Sequence, residues 1–179
     1  MIGTLRRDHR ERALALVVIL ASCGAIAARR PSMAAVVVIG FFGAAALITP
    51  VDPQPGVRMS RAVAVMAAGI AAFVLVSAGA PPVLQQATIM AIGANIAAAV
   101  AEEALFRRVA YAWLLRHGAP VAILVGAALF AVVHVPLYGP EVLFIDFGAG
   151  VLFGWQRWAA GTWIVPAITH IVANMIQMG

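Results

Sequence analysis

Residues 83–116 read VLQQATIMAIGANIAAAVAEEALFRRVAYAWLLR, from Val83 to Arg116. The run is apolar through Ala101 apart from a few uncharged polar side chains. It then meets Glu102-Glu103 and Arg107-Arg108 and becomes apolar again. A helix needs roughly 20 residues to cross about 30 Å of hydrocarbon, and this stretch is longer. No alternation of apolar and polar residues persists through it, and in lipid a single segment satisfies its backbone only as a helix. A charge at the centre of such a helix costs about 2.5–3.5 kcal/mol on insertion scales. Four charges inside one apolar run therefore mark a site, a buried pair or the edge of a membrane.

The rest of the chain extends the pattern. Of 179 residues 64% are hydrophobic and 11% charged, against about 45–50% and about 25% in soluble domains. This excludes a water-soluble globular domain, a disordered tail and a disulfide scaffold. Further apolar spans are Ala13–Ala28, Met33–Thr49, Ala62–Gly79, Pro120–Val135, Val142–Trp158 and Trp163–Met178, separated by turn-rich linkers such as Pro50–Arg61. The expected fold is all-α, a polytopic transmembrane bundle of about seven spanning helices. Strongly apolar, Lys-free composition suits a multi-pass protein of a bacterial plasma membrane.

The net charge of +5 is the balance of 12 basic against 7 acidic residues. All the basic ones are arginines, mostly lying between apolar runs, which reads as topology and not as nucleic-acid binding. Arg6, Arg7, Arg10, Arg12, Arg58, Arg61, Arg116 and Arg157 are expected on the cytoplasmic side, with Arg107 and Arg108 nominally there too. Arg29 and Arg30 fall outside. The N-terminus is then inside and the C-terminus outside. Trp155, Trp158 and Trp163 cluster as an interfacial aromatic belt would. Leu20-Ala21-Ser22-Cys23 resembles a lipoprotein cleavage box, but the apolar run continues past Cys23, so an uncleaved first helix is expected.

Three polar groups stand within the spans. Glu103 and Arg107 are four apart and can pair on one helix face; Glu102 points about 100° away, free for chemistry. Phe130 and His134 share a face at the end of the fifth span, and His170 and Asn174 share one inside the seventh. Taken singly, each has a plain structural reading: an interfacial charge cluster, a helix-end histidine, interhelical hydrogen bonding. Taken together they change the balance. If the fourth and fifth helices form a hairpin about Gly118, Glu102 and His134 sit at similar depth, away from Arg116. A carboxylate, two imidazoles and an amide are what a hydrolytic centre needs, to take a proton from water and stabilise an oxyanion. A non-catalytic immunity or scaffold protein, or a small proton-coupled transporter, would use similar residues; no internal repeat supports the transporter.

In order, Glu102-Glu103-x-x-x-Arg107, Phe130-x-x-x-His134 and His170-x-x-x-Asn174 resemble the CPBP family, which contains the type II CAAX prenyl endopeptidases and bacteriocin-processing or self-immunity proteins. The resemblance spans Glu102–Asn174. It divides the chain into N-terminal transmembrane helices (1–101) and a motif-bearing core (102–179). It implies an α-helical intramembrane endopeptidase acting on a peptide or protein substrate in or near the bilayer. Carried over by motif, Glu102 activates water, Glu103 and Arg107 support it, and His134 is the second key residue. His170 and Asn174 bind the oxyanion or hold the water, and Phe130 packs beside the site. The resemblance leaves the cofactor open between zinc and none. If a metal is present, Glu102, His134 and His170 are its candidate ligands, although no His-Glu-x-x-His pattern occurs.

Overall fold

The computed structural model describes residues 56–78 and 88–178, together with residues 43, 45–47 and 49. The expected first span, most of the second, and Cys23 lie outside the described residues. The helices are α1 (Met59–Ser77), α2 (Ile89–Glu103), α3 (Tyr111–Leu114), α4 (Ala119–Tyr138), α5 (Leu143–Ala160) and α6 (Ile164–Met178). A π-helical stretch, Ala104–Ala110, joins α2 to α3, and short 3-10 turns follow α3 and α4. Among the described residues there is no strand, so the all-α expectation holds. Each of the last five expected spans corresponds to a helix or, for Val83–Arg116, to the continuous α2–π–α3 rod. By length and apolarity α1 alone of the described helices suffices to cross a membrane, with shorter apolar helices at Ala119–Val135 and Ile164–Gln177. A count of seven crossings is therefore not established.

Local sequence explains the boundaries. Thr88 caps α2, its hydroxyl accepting from the Ala91 N–H at 3.2 Å. Gly118 (φ 99°) and Gly139 (φ 91°) bracket α4 at turns that require a positive φ. The turn at Gly118 sets α4 back along the α2–π–α3 rod, as the hairpin reading expects.

Small residues decide how closely α4 and α5 approach. Gly150 and Gly154 lie one turn apart on α5. A Cβ on Gly150 would stand 2.8 Å from the Ala127 Cα, and one on Gly154 3.2 Å from the Ile123 Cα. Backbones this close gain dispersion contacts that lipid cannot replace. Helix α1 runs against α5 and α6: Ala62 and Val65 pack with Ala159, Ala160 and Val165, and Phe73 stacks on Phe153 at 5.5 Å. A buried polar tie completes that seam, with Gln156 Nε2 donating to the Val65 carbonyl at 3.0 Å and to Thr169 Oγ1 at 2.9 Å.

Exposed Arg58, Arg61 and Arg116 lie toward one end of the bundle: the start of α1 packs on the end of α5, whose Gly154 and Arg157 lie against Ile123 and Tyr111 on either side of the Gly118 turn. Arg157 departs from its expected part as a cytoplasmic marker. It is 3% exposed, lies 4.9 Å over the Tyr111 ring, and donates from Nε to the Arg107 carbonyl at 3.0 Å. Its position near a helix end resembles an interface mark in sequence, but the side chain turns inward because a ring and a carbonyl face it there. Arg107 is likewise buried. Arg108 is half-buried and donates to the Ala46 and Thr49 carbonyls. Of the three tryptophans read as a belt, Trp158 is exposed while Trp155 and Trp163 pack against the core.

Candidate active site

The two glutamates end α2, and the π-helical stretch begins at the next residue. Interruptions of this kind recur at functional sites, because they re-aim side chains without ending the helix. Glu103 points into the protein and is 0% exposed. Its Oε1 lies 3.0 Å from the Arg107 guanidinium and 3.0 Å from His170 Nδ1. Arg107 in turn donates to the Gly150 carbonyl at 3.1 Å, so one guanidinium joins the π stretch to α5. The rings of Phe106, Phe130 and Phe153 surround it at 5.7, 4.6 and 5.2 Å. The expected ion pair is therefore present, and it lies in the core.

Glu102 faces the other way. Its Oε2 lies 3.7 Å from His134 Nε2 and 3.9 Å from His170 Nε2. The partners on the far side of each ring assign the tautomers. An ionised carboxylate and a backbone carbonyl only accept. His170 Nδ1 therefore donates to Glu103, and His134 Nδ1 donates to the Phe130 carbonyl at 2.7 Å. Whenever the imidazole is neutral, Nε2 is then the acceptor, and in both rings it is turned toward Glu102. Phe130 packs on both rings, at 4.6 Å from His134 and 5.8 Å from His170. Glu102 and His134 are each 14% exposed in their side chains, so this corner of the cluster reaches the surface while Glu103 and Arg107 do not.

The fold thus gathers Glu102, Glu103, Arg107, Phe130, His134 and His170 from α2, the π stretch, α4 and α6. Asn174, one turn beyond His170 on α6, is half-buried. Two neighbours were not foreseen. Asp146, in the first turn of α5, places Oδ2 3.8 Å from His134 Nδ1. Tyr138 stacks on His134 at 5.9 Å with planes 16° apart. An available signal for Asp146 was its position inside an apolar span, the same signal that singled out the glutamates.

Two histidines and a carboxylate match the ligand count of a catalytic zinc site. Among the described residues, however, no group of three or more His, Cys, Asp or Glu side chains is placed to hold a metal ion.

No curated protein and no solved structure matches the chain. A protein-family model does: that of the type II CAAX prenyl endopeptidase Rce1-like proteins, over residues 84–176, just over half of the chain. The match contains all three motifs and begins ahead of them, within the approach to α2. The chain belongs to the Rce1-like family, membrane-embedded CAAX-type endopeptidases whose substrates are peptides or proteins.

Proposed function

We propose that the chain hydrolyses a peptide bond within the bilayer with a water activated by Glu102. The observation that carries this is the approach of His134 Nε2 (3.7 Å) and His170 Nε2 (3.9 Å) to one partly exposed oxygen, Glu102 Oε2. These separations exceed a direct hydrogen bond. They let Oε2 and an imidazole nitrogen both lie about 2.8 Å from one water oxygen.

In this reading the water donates one hydrogen to Glu102 and the other to the His170 lone pair. Glu102 removes its proton as the water oxygen bonds to the scissile carbonyl carbon, and the carbonyl π electrons move to oxygen. The Asn174 amide supplies an N–H donor for that oxyanion. The proton passes from Glu102 through His134 Nε2 to the amide nitrogen. The oxyanion then re-forms the carbonyl and the C–N bond breaks, releasing an acid and an amine. Glu103, held by Arg107, orients His170 and fixes its tautomer. The chemistry belongs to residues 102–179, and residues 1–101 embed them in the membrane. The chain is read as a multi-pass protein of a bacterial plasma membrane. Exposed Arg58, Arg61 and Arg116 at one end of the bundle support a cytoplasmic placement of that end.

The test is cleavage of a quenched-fluorescent farnesylated peptide ending in a CAAX sequence, with the unmodified peptide alongside, by protein purified in detergent. Glu102→Gln and His134→Ala should each lower the rate by about 10²–10⁴-fold. Cleavage at the wild-type rate by both variants refutes the reading.

A further inference from the structure

The two histidines have matching surroundings, and one member of the set lies outside the three motifs. His170 has Glu103 on its Nδ1 side at 3.0 Å and Glu102 on its Nε2 side at 3.9 Å. His134 has Asp146 on its Nδ1 side at 3.8 Å and Glu102 on its Nε2 side at 3.7 Å. Each imidazole therefore stands between two carboxylates, with Glu102 shared. The correspondence is electrostatic and not a copy of the hydrogen bond. The proton on His134 Nδ1 is given to the Phe130 carbonyl at 2.7 Å, so Asp146 faces the ring as a charge.

The protein screens that charge weakly. Phe130 packs against the His134 ring at 4.6 Å, and the His134 and Asp146 side chains are 14% and 22% exposed. In such surroundings a charge acts on its neighbour much more strongly than it does in water. A half-buried carboxylate in an apolar helix is also costly to keep, and His134 is the partner it faces.

We propose that Asp146 is a positioning residue that acts through His134, its negative charge stabilising the positive charge the imidazole carries while a proton is in transit at Nε2. This rests on the hydrolytic reading of the site. When Nε2 takes the proton from Glu102, both ring nitrogens carry hydrogen and the ring is an imidazolium. When the proton leaves for the amide nitrogen, the C–N bond breaks and the ring is neutral again. Asp146 favours the charged interval without exchanging a proton.

The experiment compares wild type, Asp146→Asn, Asp146→Glu and Glu102→Gln on the farnesylated CAAX peptide, with thermal unfolding in the same detergent. Asn keeps the shape and removes the charge; Glu keeps the charge and changes the reach. The expected result is a roughly tenfold loss of kcat in Asp146→Asn with KM and unfolding temperature unchanged, and recovery of most of the rate in Asp146→Glu. Wild-type kcat in Asp146→Asn beside an inactive Glu102→Gln overturns the role of Asp146 and leaves the site reading standing. A defect in Asp146→Glu as deep as in Asp146→Asn overturns the charge argument in favour of shape. Equal rates in wild type and Glu102→Gln overturn the site reading and this inference with it.

Discussion

Replacing Glu103 by leucine tests the buried centre of the site most directly. The carboxylate is fully buried, and Oε1 receives both the Arg107 guanidinium and His170 Nδ1 at 3.0 Å. Glu103→Leu leaves Arg107, 2% exposed, as an uncompensated cation in the core, which costs about 3–5 kcal/mol. It also orphans the His170 Nδ1–H, at about 1–3 kcal/mol. Arg107→Leu is milder, because His170 still donates to the stranded carboxylate, and should fall near the lower end of the charge cost. The double variant removes both charges. Apolar residues in place of a buried pair are close to neutral, so only the His170 cost of about 1–3 kcal/mol remains. The expected order is therefore Glu103→Leu least stable, then Arg107→Leu, then the double variant nearest wild type. Unfolding in detergent, followed through tryptophan fluorescence, measures all four proteins. Single variants that each lose less than about 1 kcal/mol, with effects that simply add in the double, would refute the coupled buried pair.

Other consequences follow from packing and from the buried polar ties. Gly150→Val puts side-chain atoms where Ala127 already lies, a first Cβ being 2.8 Å from its Cα. It should cost about 1–3 kcal/mol in the same unfolding assay, and it disturbs the carbonyl that Arg107 uses. Arg157→Lys keeps the charge but loses the planar group that stacks on Tyr111 and reaches the Arg107 carbonyl. An unfolding temperature clearly below wild type is expected, and an unchanged one would show that charge alone matters there. Thr169→Val removes one acceptor of Gln156 and leaves the Val65 carbonyl as the other; a loss of about 0.5–1.5 kcal/mol is expected by the same measurement.

Much of this arrangement was legible along the chain. Apolar run length announced the helices, and residue spacing announced the Glu103–Arg107 pair and the shared faces of Phe130 with His134 and His170 with Asn174. These are local properties, set by a rise of about 1.5 Å and a turn of about 100° per residue. The family match over residues 84–176 agrees with the resemblance read from the same motifs. Arg157 shows where local reading ends. An arginine near a helix end looks the same in sequence whether it meets lipid headgroups or a neighbouring helix, and its Tyr111 ring and Arg107 carbonyl lie on another element. Asp146 is hidden from local reading for a related reason, since its partner His134 stands across the α4–α5 turn.

The sequence by itself determined an apolar helical chain and which polar residues it carries at helical spacing, because burial in lipid and backbone hydrogen bonding act on each segment alone. Only the tertiary structure decided that Glu103 is enclosed with Arg107 while Glu102 reaches the surface between two imidazoles, and that Asp146 joins them. The side-chain angle about a helix is known from sequence only relative to its own neighbours. What each face meets depends on the small residues, Gly150 and Gly154 above all, that set how closely and at what register the helices pack.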